Sequence, residues 1–456
     1  MGVVIISYEK SVQLAKELAR LVSLQGGRAY YVGGFVRDRL MGKENKDIDI
    51  EVHGITPDVL EKILDNLGRR IQTGKSFGVY GLCGHSIDIA MPRRETLKGK
   101  GHRDFKIDIE PFIGTEKAAM RRDFNVNAIM QDVLTGRIID HFGGQKDLTL
   151  GVLRHIDDTT FPEDPLRVLR GAQFAARFNF NIAPETVELC KKIDLSFLSP
   201  ERVFEELKKA LLKSQTPSLF FENLRTMNQL SVWFGELEKL IGINQHTEYH
   251  QEGDVWTHTM MVLDEAAKRR KDAQQPLYFM LSALVHDFGK ITSTEFINGQ
   301  YHAYLHEQKG LPLVEAFLQK ITREKALYSY VLNMTMLHMK PNVLARDNAS
   351  LKATNKMFDS AVSGEDLILL SACDSGGKIP KANFSETENF LRERLSIYKE
   401  YMSRPYVTGQ DLIKMGIEPG ENFSELLSYS HKLRLAGILK KDALTQVKAY
   451  AKEKGC

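Results

Sequence analysis

The sequence predicts an α+β chain, with a sheet-containing N-terminal unit and a long helical remainder. Three observations carry this. Residues 30–51, YYVGGFVRDRLMGKENKDIDIE, read as strand, glycine turn, short helix and second strand. Three short strand-like runs follow near 69–72, 78–82 and 85–90. From about residue 150 onward the apolar spacing is almost wholly helical.

Bulk properties narrow the function classes. A chain of 456 residues, 43% apolar, has material for two to four packed domains. Its longest apolar run falls short of the roughly 18 residues of a membrane helix. The opening MGVVIISYEK turns polar and acidic too early for a secretory signal. Cys83, Cys190, Cys373 and Cys456 lie far apart and form no CxxC, which fits a reduced cytoplasm. The net charge of +3 points only weakly to a polyanionic partner.

Taken in order, residues 7–24 place Val12, Leu14, Ala15, Leu18 and Leu21 on one helical side. In the next stretch Gly33-Gly34 supply a flexible backbone, and Asp47 and Asp49, two apart, share a strand face. Pro57–Leu67 reads as a helix. In HSIDIA, Asp88 alternates with Ile87 and Ile89 and faces away from them. If that face adjoins Asp47 and Asp49, three carboxylates form one cluster. Like charges so close are costly unless a cation compensates them. Hard oxygen ligands suit Mg²⁺, and two such ions about 4 Å apart activate a hydroxyl and stabilise a leaving group. Two exposed aspartates on an edge strand would be the plainer reading of DxD alone.

Residues 92–106, PRRETLKGKGHRDFK, read as a mobile basic loop. RRDFNVNA, residues 121–128, reads as the start of a helix. There Arg121 and Arg122 suit forked phosphate contacts, and Asp123 and Asn127 share a face. DHFGGQKDL, residues 140–148, is a turn closing the first unit. Glu163-Asp164-Pro165 opens a helix in which Arg167 and Arg170 share a face. Asp164 and Arg167 offer an acceptor and a donor fork that could read a base edge; an intrahelical ion pair is the simpler alternative. Ser199-Pro200 caps the next helix, whose Glu201, Arg202 and Glu205 read as a structural charge network.

A second constellation begins near residue 246. His258 sits on one predicted helix, His286-Asp287 ends another, and His306, His338 and Asp374 follow. Imidazole with carboxylate suits a divalent transition metal and a hydrolytic metal-bound water. The tail from about 403 reads as small helices, ending in a basic helix with Lys432, Arg434, Lys440, Lys441, Lys448, Lys452 and Lys454.

On these residues the chain resembles the class II tRNA nucleotidyltransferases, the CCA-adding enzymes and their bacterial poly(A) polymerase relatives. GGFVRD through Arg37, with DID, looks like the catalytic motif; RRDFNVNA resembles the ribose-contacting motif, DHFGGQKDL the hinge, EDPLR the base-reading motif and SPERVFEEL the motif after it. The ordered matches cover about the first 210 residues. VTGQDLIKMGIEPG with LRLAGILKKDAL is similar to the family's C-termini. His258, His286, Asp287 and Asp374 match an HD phosphohydrolase pattern, and His306 and His338 match the extra ligands of two-metal members. One departure is Gln173 before Phe174, where relatives often carry an arginine.

The resemblance implies a polymerase-β-like head with a mixed sheet over 1–150. It then implies a base-reading helical neck over 151–215, a helical body over 216–395 with the HD part at about 246–375, and a tRNA-binding tail over 396–456. It implies that Asp47 and Asp49 hold two Mg²⁺ with Asp88 as third carboxylate, in a cytoplasmic enzyme adding CCA to tRNA from CTP and ATP. Gly33, Gly34, Arg37, Arg121, Arg122, Asp123, Asn127, Asp164, Arg167 and Arg170 would bind the nucleotide. Partial CC or A addition, and polyadenylation, are the nearest alternatives.

Overall fold

The computed structural model describes residues 8–73, 79–97, 105–246, 248, 250–381 and 383–454. The chain divides into two compact units, Met1–Ala210 with Leu219–Trp233, and Leu211–Ser218 with Phe234–Cys456. The class is α+β, as the sequence predicts.

The first unit is built on a seven-stranded mixed sheet in the order β3-β4-β5-β2-β1-β8-β9. Its strands are β1 (Arg28–Tyr31), β2 (Ile48–His53), β3 (Arg70–Thr73), β4 (Val79–Leu82), β5 (Ile87–Ala90), β8 (Met130–Asp132) and β9 (Ile138–Ile139), with β6 (Arg93–Leu97) and β7 (Phe105–Ile109) as a separate pair. Period-two alternation explains its two faces. Ile48, Ile50 and Val52 of β2 and Ile87 and Ile89 of β5 enter a core with Ala15, Leu18 and Val22 of the helix Tyr8–Leu24 and Leu60, Ile63 and Leu64 of the helix Pro57–Leu67. The intervening residues Asp49, Glu51 and Asp88 therefore belong to the opposite face. β2 and β5 run parallel with Asp49 paired to Asp88.

Two expectations change here. The basic stretch 92–106 is not simply a loop: its ends form the antiparallel pair β6–β7, because Arg93–Leu97 and Phe105–Ile109 are both extended five-residue runs in register. Lys98, Lys100 and Arg103 lie outside the described residues. RRDFNVNA is not one helix. Thr115–Met120 ends before it, Arg121–Phe124 is loop, and only Asn125–Ala128 is helical. Phe124 is extended, and its amide is taken by the Asp123 carboxylate rather than by a preceding helical turn.

In the same unit the helix Leu166–Phe178 is buried along most of its length, with Phe174 beside Phe124 at 6.1 Å between ring centres. Gly144 lies against the carbonyl of Asn125, and a Cβ there would clash, so GG at 143–144 is a packing turn.

Among its described residues the second unit is helical apart from a hairpin, Thr294–Ile297 with Gln300–Ala303. Its central helix, Pro276–Val285, is buried from Phe279 to Val285 because PLYFMLSALV is apolar all round. The helices Val255–Arg269, Lys325–Leu337 and Gly364–Gly376 surround it. The end of the chain packs as Gly409–Lys414, Phe423–Leu435 and Lys440–Glu453 around Leu412, Leu426 and Val447. No helix among the described residues is long and apolar enough to cross a membrane.

Candidate active sites

In the first unit, β1 ends at Tyr31, Val32 is extended, and Gly33 turns with a φ of +64° into the helix Gly33–Leu40. That positive φ favours glycine. A Cβ on Gly33 would lie 3.3 Å from Arg122 Nη1 and 3.6 Å from Asp49 Oδ2, so the turn brings backbone, cation and carboxylate together. Asp47 is exposed at the entrance to β2 and accepts from Ser86 Oγ at 3.1 Å. Burial, then Asp88 and Asp47, push the Asp49 carboxyl up to about 6, although Arg122 opposes them. Burial and Asp47 also raise Asp88. The three carboxylates thus feel one another. This donor set fits a hard divalent cation, which would relieve the repulsion that raises Asp49.

The arginines are held from behind. Glu51, 2% exposed, lies 3.2 Å from Arg122 Nη2 and 3.4 Å from Arg121 Nη2. Burial alone would raise its carboxyl, but Arg122, His53 and Arg121 hold it at about 2. Asp123 accepts from Asn127 Nδ2 at 2.8 Å and from Arg170 Nη2 at 2.7 Å. Arg37 is buried; its Nη1 donates to Asn127 Oδ1 at 2.6 Å and its Nε to Asp38 Oδ1 at 2.8 Å. Its guanidinium lies over Phe178 with 4.5 Å to the ring centre. Arg37, Asn127, Asp123 and Arg170 therefore form one hydrogen-bonded chain beneath the glycine turn.

The proposed base reader is arranged differently from its sequence spacing. Asp164 does not pair with Arg167. It accepts from Arg202 Nη2 through both oxygens, at 3.0 and 2.9 Å, while Arg167 donates to the carbonyls of Thr160 and Arg121, each at 2.6 Å. Pro165 keeps Asp164 out of the helix, so the three-residue spacing does not act as a helical pair. Gln173 is 1% exposed and lies inside the fold. Sequence reading missed Glu51 and Arg202 as partners. Glu51 continues the Asp47, Asp49 alternation, a signal that was present; Arg202 read only as part of a structural charge network with Glu201 and Glu205.

In the second unit the six histidine and aspartate candidates converge. His258 Nε2 lies 3.1 Å from Asp374 Oδ1 and 3.7 Å from Asp287 Oδ2, and His286 Nε2 lies 3.3 Å from Asp287 Oδ2. Asp287 Oδ1 is 3.2 Å from His306 Nε2 and 3.8 Å from His338 Nε2, so one carboxylate bridges two groups. The Nδ1 atoms of His286, His306 and His338 contact the carbonyls of Ala283, Ala303 and Thr335 at 2.8, 3.0 and 2.6 Å. Those contacts make Nδ1 the donor and turn the Nε2 lone pairs inward. His306 and His338 then oppose lone pairs across 3.1 Å, and buried His286 Nε2 has no hydrogen-bond partner. A divalent cation answers both features. Burial, with His306 and His286 nearby, pulls His338 down to about 3, keeping it a neutral ligand. Burial would raise Asp287, but Lys290 and His286 hold it well below the usual range.

A family model described as "Poly A polymerase head domain" matches residues 29–154, and "Probable RNA and SrmB- binding site of polymerase A" matches 179–241. The multifunctional CCA protein of Nitrosococcus oceani is 38% identical over 407 residues, covering 87% of this chain and 95% of that one. The chain belongs to the class II CCA-adding enzyme and poly(A) polymerase family. A second relative in this family, the multifunctional CCA protein of Actinobacillus pleuropneumoniae, is 36% identical over 72% of this chain and 80% of its own. Among solved structures, a CCA-adding enzyme in its apo form II aligns over 98% of this chain and 97% of its own, with a TM-score of 0.68 at 20% identity. The Thermotoga maritima CCA-adding enzyme, solved in complex with tRNA, aligns with a TM-score of 0.64 at 20% identity. These last two establish the shared fold. Nucleotidyltransferases of this family use a divalent metal.

Proposed function

We propose that this chain adds CCA to tRNA 3′ ends from CTP and ATP by metal-dependent nucleotidyl transfer. Family membership over nearly the whole chain supports the activity; the convergence of Asp47, Asp49 and Asp88 beside Gly33 carries the site. When bound by these carboxylates, Mg²⁺ supplies charge neutralisation and an activated 3′-hydroxyl. The chain's own work is positioning. The glycine turn lets a triphosphate approach the backbone, and Arg121 and Arg122, held by Glu51, present guanidinium groups to it. Asp123 and Asn127 line the ribose position, locked by Arg170 and Arg37. Asp164 and Arg167 select the base, which requires Arg202 and the two carbonyls to release them or to share their hydrogen bonds. The basic tail, 396–456, contacts tRNA phosphates. Widely spaced cysteines without a CxxC, together with nucleotide substrates, favour the cytoplasm.

The second unit is an HD phosphohydrolase. The inward Nε2 atoms around Asp287 carry this reading, with His258, His286, Asp287 and Asp374 at one metal and His306 and His338 completing a second. A transition metal there would supply an acidified water for phosphoester hydrolysis.

The deciding experiment supplies tRNAs ending before CCA, after the first C and after CC with labelled CTP and ATP, singly and together. Extension of all three to CCA is expected. Stalling after CC, addition of A alone, or long A tails would replace the reading with a partial enzyme or a poly(A) polymerase.

A further inference from the structure

Asp164 stands just before the helix Leu166–Phe178, with an extended backbone at φ −120° and ψ 98°. Its two oxygens are not equivalent. Oδ1 accepts from Arg202 Nη2 at 3.0 Å and from the Leu166 amide at 3.1 Å, which occupies both of its lone pairs. Among the described residues Oδ2 accepts only from Arg202 Nη2, at 2.9 Å, and so keeps one lone pair. The Asp164 side chain is 29% exposed, which leaves that lone pair open to a ligand. Arg202 comes from the first turn of the helix Pro200–Lys213. One of its nitrogens bridges both carboxylate oxygens, and the Leu166 amide adds a third point of attachment, so the carboxylate plane is fixed. An ion pair this exposed stabilises a fold little, and its consequence lies in where it aims Asp164.

We propose that Arg202 is a positioning residue for base selection: it pins Asp164 so that Oδ2 presents one fixed acceptor to the exocyclic amino group of cytosine or adenine. The inference rests on the base-reading role proposed above for Asp164 and adds why that acceptor discriminates. Cytosine and adenine each carry an amino donor where uracil and guanine carry a carbonyl acceptor. A carboxylate oxygen bonds the first pair and repels the second. A carboxylate free to rotate would turn away from a carbonyl and let a water in between, and the repulsion would be lost. Held at both oxygens, Asp164 has no such escape. Arg202 acts through Asp164 and needs no contact with the base.

The test measures initial rates with CTP and UTP on tRNA ending before CCA, and with ATP and GTP on tRNA ending after CC, using the full-length chain. Arg202→Gln should lower the preference for CTP over UTP and for ATP over GTP in kcat/KM roughly ten-fold, while the KM for tRNA and the melting temperature stay unchanged. Adding Arg202→Gln to Asp164→Ala should cost no further discrimination, because the two residues act as one unit. Unchanged preferences in Arg202→Gln, even with slower addition of all four nucleotides, would mark a merely structural contact and overturn the positioning role. A further loss in the double variant would overturn it too, and either result leaves Asp164 as the base reader. Unchanged preferences in Asp164→Ala would remove the base-reading role and the positioning role together.

Discussion

Asp49 shows how one residue's environment states its task. Its carboxyl ordinarily titrates at 3.8 and in the fold at about 6, so the folded state holds the proton more tightly. The stability this gives is present below about 3.8 and is lost as pH rises through about 6. Mg²⁺ should therefore raise the melting temperature more at pH 7.5 than at pH 5, and Asp49→Asn should stabilise the metal-free protein at pH 7.5; equal Mg²⁺ shifts at both pH values would contradict the assignment. Catalysis tests the same carboxylates: Asp47→Ala should abolish nucleotide addition while gel-shift binding of tRNA persists. Arg37 has the opposite character. Removing it leaves Asp38 buried without its main partner, a loss expected to cost about 3–5 kcal/mol in a denaturant titration. Asp164→Ala should lower discrimination for CTP and ATP over UTP and GTP by roughly 10–100-fold in kcat/KM, since it removes the acceptor proposed to read the base.

Whole elements carry the histidine cluster. His286, His306 and His338 each follow or open a helix and tie Nδ1 to a carbonyl three residues earlier. For His286 and His338 the last turn of the preceding helix supplies that carbonyl freely, because it has no intrahelical partner there, while His306 takes its carbonyl from the end of the strand Gln300–Ala303. The same geometry thus satisfies the backbone and aims the ligand. His306→Ala and His338→Ala should each reduce tightly bound transition metal from two equivalents to one by elemental analysis, leaving the His258, His286, Asp374 position filled. Retention of two equivalents in both variants would remove these histidines from the ligand set.

At the scale of the molecule, one compact unit carries the cluster of Asp47, Asp49 and Asp88 and the other the histidine–aspartate cluster around Asp287. Asp47→Ala should stop nucleotide addition but spare metal-dependent phosphate release, and Asp287→Ala should do the reverse. Loss of both activities in either variant, with unchanged melting temperature, would show that the two chemistries share a site.

Much of this was legible in the chain. The alternation of Ile48, Ile50, Ile87 and Ile89 with Asp49 and Asp88 already separated a core face from a carboxylate face, because side chains on a strand must alternate. The apolar run ending at His286-Asp287 already read as a helix, though not as the centre of its unit. Period and composition act locally, and so did these features. What chain order could not reveal was pairing over distance. The three-residue spacing of Asp164 and Arg167 left both a joint base reader and an intrahelical ion pair open, yet Pro165 keeps Asp164 out of the helix and Arg202, 38 residues away, takes both of its oxygens. Histidines spread from 258 to 338 have no informative spacing. Only packing around the helix Pro276–Val285 brings them to Asp287, and only the backbone carbonyls behind them decide which nitrogen faces inward.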